Sequence, residues 1–152
     1  MRKLLLAVAL MSITTIPACG PSIPRRVLSQ TNLVEIGKAM KMYSWDWDNR
    51  LPPMRDIAEF RTAVKPYWEK LENTITDDAF VQPGSNRPYS VNSSLSGHTM
   101  SQIKNPGGVA AVYEADPDKD GLRSVLFLDG HVKFVHAQEW LRVKNVSKIQ
   151  QP

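Results

Sequence analysis

Apolar residues recur along the chain with two different spacings. From Leu28 the positions Leu33, Ile36, Met40, Tyr43 and Trp47 follow at steps near three and four, the stripe of one helix face, and predict a helix over about residues 27–48. Pro52 and Pro53 cannot continue a helical ladder and are expected to end it. Asp56 then stands as an N-cap for a second helix to about Leu71. Its apolar face would be Ile57, Phe60, Val64, Tyr67, Trp68 and Leu71, with Pro66 placed to break or kink it.

Beyond this point the pattern shortens to extended pieces. Phe80-Val81, Tyr89 to Asn92 and Val109 to Glu114 are strand candidates separated by Gly, Pro, Asn and Ser clusters. Ser124 to Leu128 and His131 to Val135 flank Asp129-Gly130, which predicts a hairpin closed by a two-residue primed turn. A last helical turn is expected around Gln138 to Val143, with Trp140 and Leu141 available to the sheet, and residues 144–152 as a frayed tail. A long helix, a second helix and a small antiparallel sheet make an α+β fold.

The N-terminus changes the picture from a bare domain to an anchored one. Arg2 and Lys3 precede an apolar run, Leu4 to Ile16, too short for a permanent span of roughly 20 residues but suited to a signal-peptide core of about 7–15. Ile16-Pro17-Ala18-Cys19 has the form of a lipobox, in which Cys19, the chain's only cysteine, is cut free and acylated. The expected organisation is a lipoprotein signal over 1–18, a Pro-containing tether over 19–26, a domain over 27–143 and the tail over 144–152. This implies a bacterial cell-envelope protein, lipid-anchored to a membrane and facing the periplasm. Gly20, with no aspartate after the cysteine, favours the outer membrane.

Charge adds little. The formal charge of +4 falls to about +2 once Arg2 and Lys3 are removed, and basic residues are scattered among acidic ones. No block tracks a phosphate backbone, so nucleic acid is not an expected partner. With Cys19 acylated no thiol remains for a disulfide, and hydrophobic packing must hold the fold.

The run Ser29 to Tyr43, followed by Asp46-Trp47-Asp48-Asn49-Arg50-Leu51-Pro52-Pro53, resembles the first helix of pseudopilin-like proteins and its exit. These are relatives of the major pseudopilin of type II secretion. Val125 to Val135 is similar to that group's closing hairpin, and Tyr89 to Gly97 and Val112-Tyr113-Glu114-Ala115 come in the matching order. The resemblance spans about residues 28–136 and implies a pilin-like head, a long helix on a small sheet, that works through a protein partner in secretion or envelope assembly rather than as an enzyme. Three departures qualify it. The prepilin leader is replaced by the lipoprotein signal, which implies a tethered head rather than a filament subunit. Lys119 stands where the group's signature places a histidine, and Gln82 where relatives often carry cysteine.

Asp116, Asp118 and Asp120 alternate before Gly121, as in the first half of a calcium loop, where successive oxygens converge on a hard cation. Phe127 holds the twelfth position, so the bidentate glutamate of an EF-hand is missing, and a solvated acidic turn explains the same residues. The resemblance to calcium-binding pseudopilins, which use an acidic loop near the C-terminal strands, supports calcium on Asp116, Asp118 and Asp120, and makes a calcium- or glycan-binding module on a pilin-like scaffold the alternative to a protein-binding head. His98, His131 and His136 lack the geometry for a transition metal, since His131 and His136 point to opposite faces of an extended strand. Ser93, Ser94 and Ser96 lack a nucleophile elbow and read as a connection. Asp46, Asp48 and Glu114 are carboxylates that nothing places in a shared cleft, and are expected to cap, pair or face water. Of Trp45 and Trp47, one is expected to pack inward and the other to lie at the rim, where it offers a surface for stacking a glycan.

Overall fold

The computed structural model describes residues 24–71, 77–85 and 87–149. The expected signal over 1–18, Cys19 and most of the expected tether lie outside them. The fold is α+β: helix α1 (Arg25–Asp46), helix α2 (Ile57–Trp68), four strands, β1 (Ser90–Val91), β2 (Ala110–Tyr113), β3 (Leu122–Phe127) and β4 (Val132–His136), and helix α3 (Ala137–Ser147). The strands form one antiparallel sheet in the order β1-β2-β3-β4. Among the described residues no helix is long and apolar enough to cross a membrane.

Helix α1 lies along β3, and a glycine sets how closely. A Cβ added at Gly37 would stand 3.0 Å from Leu126 Cδ1, so the missing side chain lets helix and strand approach. Leu33, Ile36, Ala39 and Met40 are buried beside it, against Phe60, Val64, Leu51 and Met54 from α2 and its approach. The ends of the expected stripe fail. Leu28 and Trp47 are exposed, the second lying past the helix end.

The helix stops earlier than the prolines require. Asp48 and Asn49 both take left-handed backbone, φ 51° and 59°, and return the chain so that Asn49 N–H donates to Ser44 O at 2.8 Å. Asp56 caps α2 as expected, accepting from Glu59 N–H at 2.8 Å. Pro66 does not break that helix, because only two helical residues follow it and the lost donor falls in the last turn.

The sheet is covered on both faces, which explains the unbroken apolar run Val125 to Leu128. Leu126 and Leu128 join the α1–α2 core, while Val125 and Phe127 join a second core with Val135, Trp140 and Val143. A bulge in β2 between Ala110 and Val112 shifts the register, so Ala110 serves the second core whereas Ala111 and Val112 both serve the first. The second core requires a real helix, and α3 accordingly runs on to Ser147 instead of fraying from residue 144. Ser147 holds it down: its hydroxyl accepts from Ala110 N–H at 2.9 Å, and its carbonyl accepts from Asn92 Nδ2 at 2.9 Å. Trp140 packs on the sheet as expected, but Leu141 faces solvent.

Two smaller expectations also change. Asp77–Phe80 is a 3-10 turn, and Val81 forms only an isolated bridge with Pro88. The β3–β4 turn has three residues instead of two: Gly130 N–H donates to Phe127 O, and Gly130 alone takes positive φ, +98°. Asp129 keeps ordinary backbone, from which its carboxylate accepts His131 N–H at 3.1 Å.

Candidate functional site

Three places hold the residues of interest. The first is the β2–β3 connection, which carries the acidic triplet. Asp118 Oδ1 accepts from Asp120 N–H at 2.9 Å and Leu122 N–H at 3.0 Å, and its other oxygen accepts from Arg26 Nε at 2.6 Å. Arg26 also reaches Asp120, and Arg87 pairs with Asp116. The Arg26 hydrogen bond, with the two backbone donors behind it, holds the Asp118 carboxyl at about 2. Gly121 takes the turn at φ +76°. Each carboxylate is thus turned to an arginine, and among the described residues no three metal-ligating side chains gather around a common point. The loop works here as a clasp on the first turn of α1.

The second place is interior, and sequence reasoning missed it. Glu114, expected to cap, pair or face water, is buried between α1 and the sheet. Ser29 Oγ donates to its Oε1 at 2.8 Å, and Ser124 N–H donates to its Oε2 at 2.8 Å. Because the single Ser29 proton is used there, the Tyr89 hydroxyl, 2.9 Å from Ser29 Oγ, is the donor to it. Burial pushes the Tyr89 hydroxyl up to about 12, which keeps that proton in place. A polar residue, Ser29, amid the apolar face of α1 was the one available signal. The serine-rich connection is spent on structure in the same way: Ser96 Oγ accepts from Met54 N–H and Ser94 Oγ donates to Asn92 Oδ1. His131 sits 2.6 Å from Asp129 through Nδ1 and stacks on Phe127.

The third place is a groove of about 260 Å³ at the C-terminal end of α1. Met40, Leu51, Met100 and Leu128 line its depth beside Gly37, and Trp45, Asn49 and Asp129 stand around it. Neither tryptophan packs inward. Trp47, 53 % exposed, is braced by stacking on Tyr43 at 5.5 Å and by an indole hydrogen bond to the Tyr67 hydroxyl at 3.1 Å. Trp45 is 66 % exposed, with Lys41 Nζ 5.5 Å from its ring.

No family model matches this chain, nor does any curated protein or solved structure. Of the residues singled out from sequence, the fold brings Asp116, Asp118 and Asp120 together with arginines, puts Glu114 in the interior and leaves Trp45 beside an apolar groove. Methionine and tryptophan are the side chains enriched where proteins meet, and a groove this size accepts one large apolar side chain.

Proposed function

We propose that this chain is a lipid-tethered, periplasm-facing protein of the bacterial envelope whose pseudopilin-like head binds a protein partner through the groove beside Trp45. The observation that carries this reading is the separation of the two ends of α1. The tether enters at Arg25, and the 22 residues of the helix span about 33 Å, so an anchor at Cys19 would hold one end of the head at the membrane and present Trp45 outward. Binding rather than catalysis fits the polar groups: Glu114 is enclosed by its donors, and the Ser94 and Ser96 hydroxyls are committed to the scaffold.

The anchor is tested by Cys19→Ser in the full chain. Loss of membrane association and of the acylated mass is expected; unchanged association would sink the lipobox. The docking surface is tested by a photo-crosslinking residue at Trp45 in intact cells, compared with one at exposed Thr62 on α2. A protein adduct is expected at Trp45 alone, and should disappear when Met40→Trp fills the groove.

A second reading has one observation in its favour. An exposed indole next to the amide of Asn49 and the carboxylate of Asp129 is also suited to a sugar ring, whose apolar face stacks while its hydroxyls hydrogen-bond. Saturable quenching of tryptophan fluorescence by envelope glycans, lost in Trp45→Phe, would favour a glycan over a protein.

A further inference from the structure

Along β3 the side chains of Arg123, Val125 and Phe127 share the α3 face, so the apolar stripe of the second core ends in a cation at the β2–β3 connection. There a cavity of about 210 Å³ opens between that connection and α3, walled by Pro117, Val135, Ala137, Trp140 and Leu141, and Arg123 is the one charged residue that lines it among the described residues. Its Cζ lies 4.6 Å from the centroid of the Trp140 ring, and Nη1 donates to the carbonyls of Glu114 and Ala115. These contacts fix the guanidinium and use one of its three nitrogens. Nε and Nη2, which lie side by side along one edge of the group, make no hydrogen bond among the described residues, and both reach solvent.

No acid is available to this edge from within the described residues. Asp116 is paired with Arg87, Asp118 and Asp120 with Arg26, and Glu139 with Lys133, while Glu114 accepts from Ser29 and Ser124. Glu114 and Asp116 act on Arg123 only through space, and burial outweighs them, lowering the guanidinium from the ordinary arginine value. Arg123 is thus a half-buried cation with apolar walls and a free pair of donors.

We propose that this cavity binds a small apolar monocarboxylate, its two oxygens on Nε and Nη2 of Arg123 and its hydrocarbon body against Pro117, Ala137 and Leu141. Two parallel N–H donors match the two oxygens of a carboxylate, and charge-assisted pairs of this kind are the strong ones. The apolar body would cover Leu141, which is 56 % exposed. The site lies across the sheet from the groove beside Trp45, on the side of the second core, and does not depend on what that groove binds.

The test titrates the full chain in detergent micelles at neutral pH with phenylacetate, phenylacetamide and acetate, following the side-chain Nε–H resonance of Arg123 by NMR. Phenylacetate is expected to shift that resonance saturably, with half-saturation about tenfold below that of acetate because its ring is buried against apolar walls. Phenylacetamide has nearly the same shape without the charge and should leave the resonance in place. Ala137→Leu, a change at an exposed position of the cavity wall, should weaken phenylacetate several-fold without touching Arg123. Arg123→Lys keeps the charge but not the paired donors and should lose phenylacetate binding; the Ala137 variant keeps the test decisive if that chain does not fold. An equal shift from phenylacetamide, equal affinities for acetate and phenylacetate, no saturable shift, or phenylacetate binding unchanged in Ala137→Leu would each overturn the proposal.

Discussion

Ser29 donates a 2.8 Å hydrogen bond to Glu114, joining the second turn of α1 to the end of β2 across 85 positions of chain. The bond is buried, and it makes Glu114 the point where helix, sheet and the Tyr89 segment are held together. Removing the carboxylate strands the Ser124 N–H and leaves Ser29 without its acceptor. Each stranded buried group costs about 1–3 kcal/mol. Glu114→Ala is therefore expected to lower the chemical-denaturation midpoint markedly, and Ser29→Ala by less. Midpoints equal to that of the parent would show that the network is not holding α1.

Close approach of α1 to β3 depends on Gly37. A larger side chain there must displace Leu126, which is itself fully buried. Gly37→Val should cost about 1–3 kcal/mol by overpacking. Leu126→Ala added to Gly37→Val should recover part of the loss, because the cavity accepts the new methyls, and a double-mutant cycle showing simple additivity would refute the contact.

Two groups give pH limbs of opposite sign. Arg26 holds the folded Asp118 carboxyl at about 2, below an unfolded value of about 3.9. Its contribution is fully present above that unfolded value and is lost as pH falls toward 2. Asp118→Asn should flatten the melting temperature between those two values. Burial raises the Tyr89 hydroxyl to about 12 against about 10 unfolded, so its contribution is present below pH 10 and drains away as pH rises toward 12. Tyr89→Phe should flatten that alkaline limb while lowering stability at neutral pH.

Calcium at the acidic loop would have to displace Arg26 and Arg87 from the carboxylates. The melting temperature is accordingly expected to be the same in excess chelator and in millimolar calcium. A site at a hundred times its dissociation constant would add about 2.7 kcal/mol, so a rise of several degrees, abolished by Asp118→Ala, would establish that the ion wins over the arginines.

Local chemistry made much of this protein readable without coordinates. The stripe Leu33, Ile36, Met40 sets α1, Asp56 caps α2, and apolar pieces on either side of Asp129-Gly130 set the hairpin, because each depends on residues a few positions apart. The α+β class follows from that order. What depended on distant partners was not readable. The length of α3 is decided by a second core that its residues share with Val125, Phe127 and Val135, and by Ser147 meeting Asn92 and Ala110. The β3–β4 turn has three residues because Phe127 pairs across it with His131 instead of Leu128 pairing with His131, a register set by the two strands and their cores. Alternating aspartates describe a cation loop equally well whether or not arginines stand opposite them; only the return of α1 past the β2–β3 connection puts Arg26 there. Likewise Glu114 reads as a surface acid until Ser29 and Ser124 arrive from either side, and Trp45 reads as half of a rim pair until the approach of Met100 and Leu128 makes a groove beside it. Helix and turn preferences are properties of a short segment, whereas pairing, burial and clefts are properties of surfaces that the chain brings together only on folding.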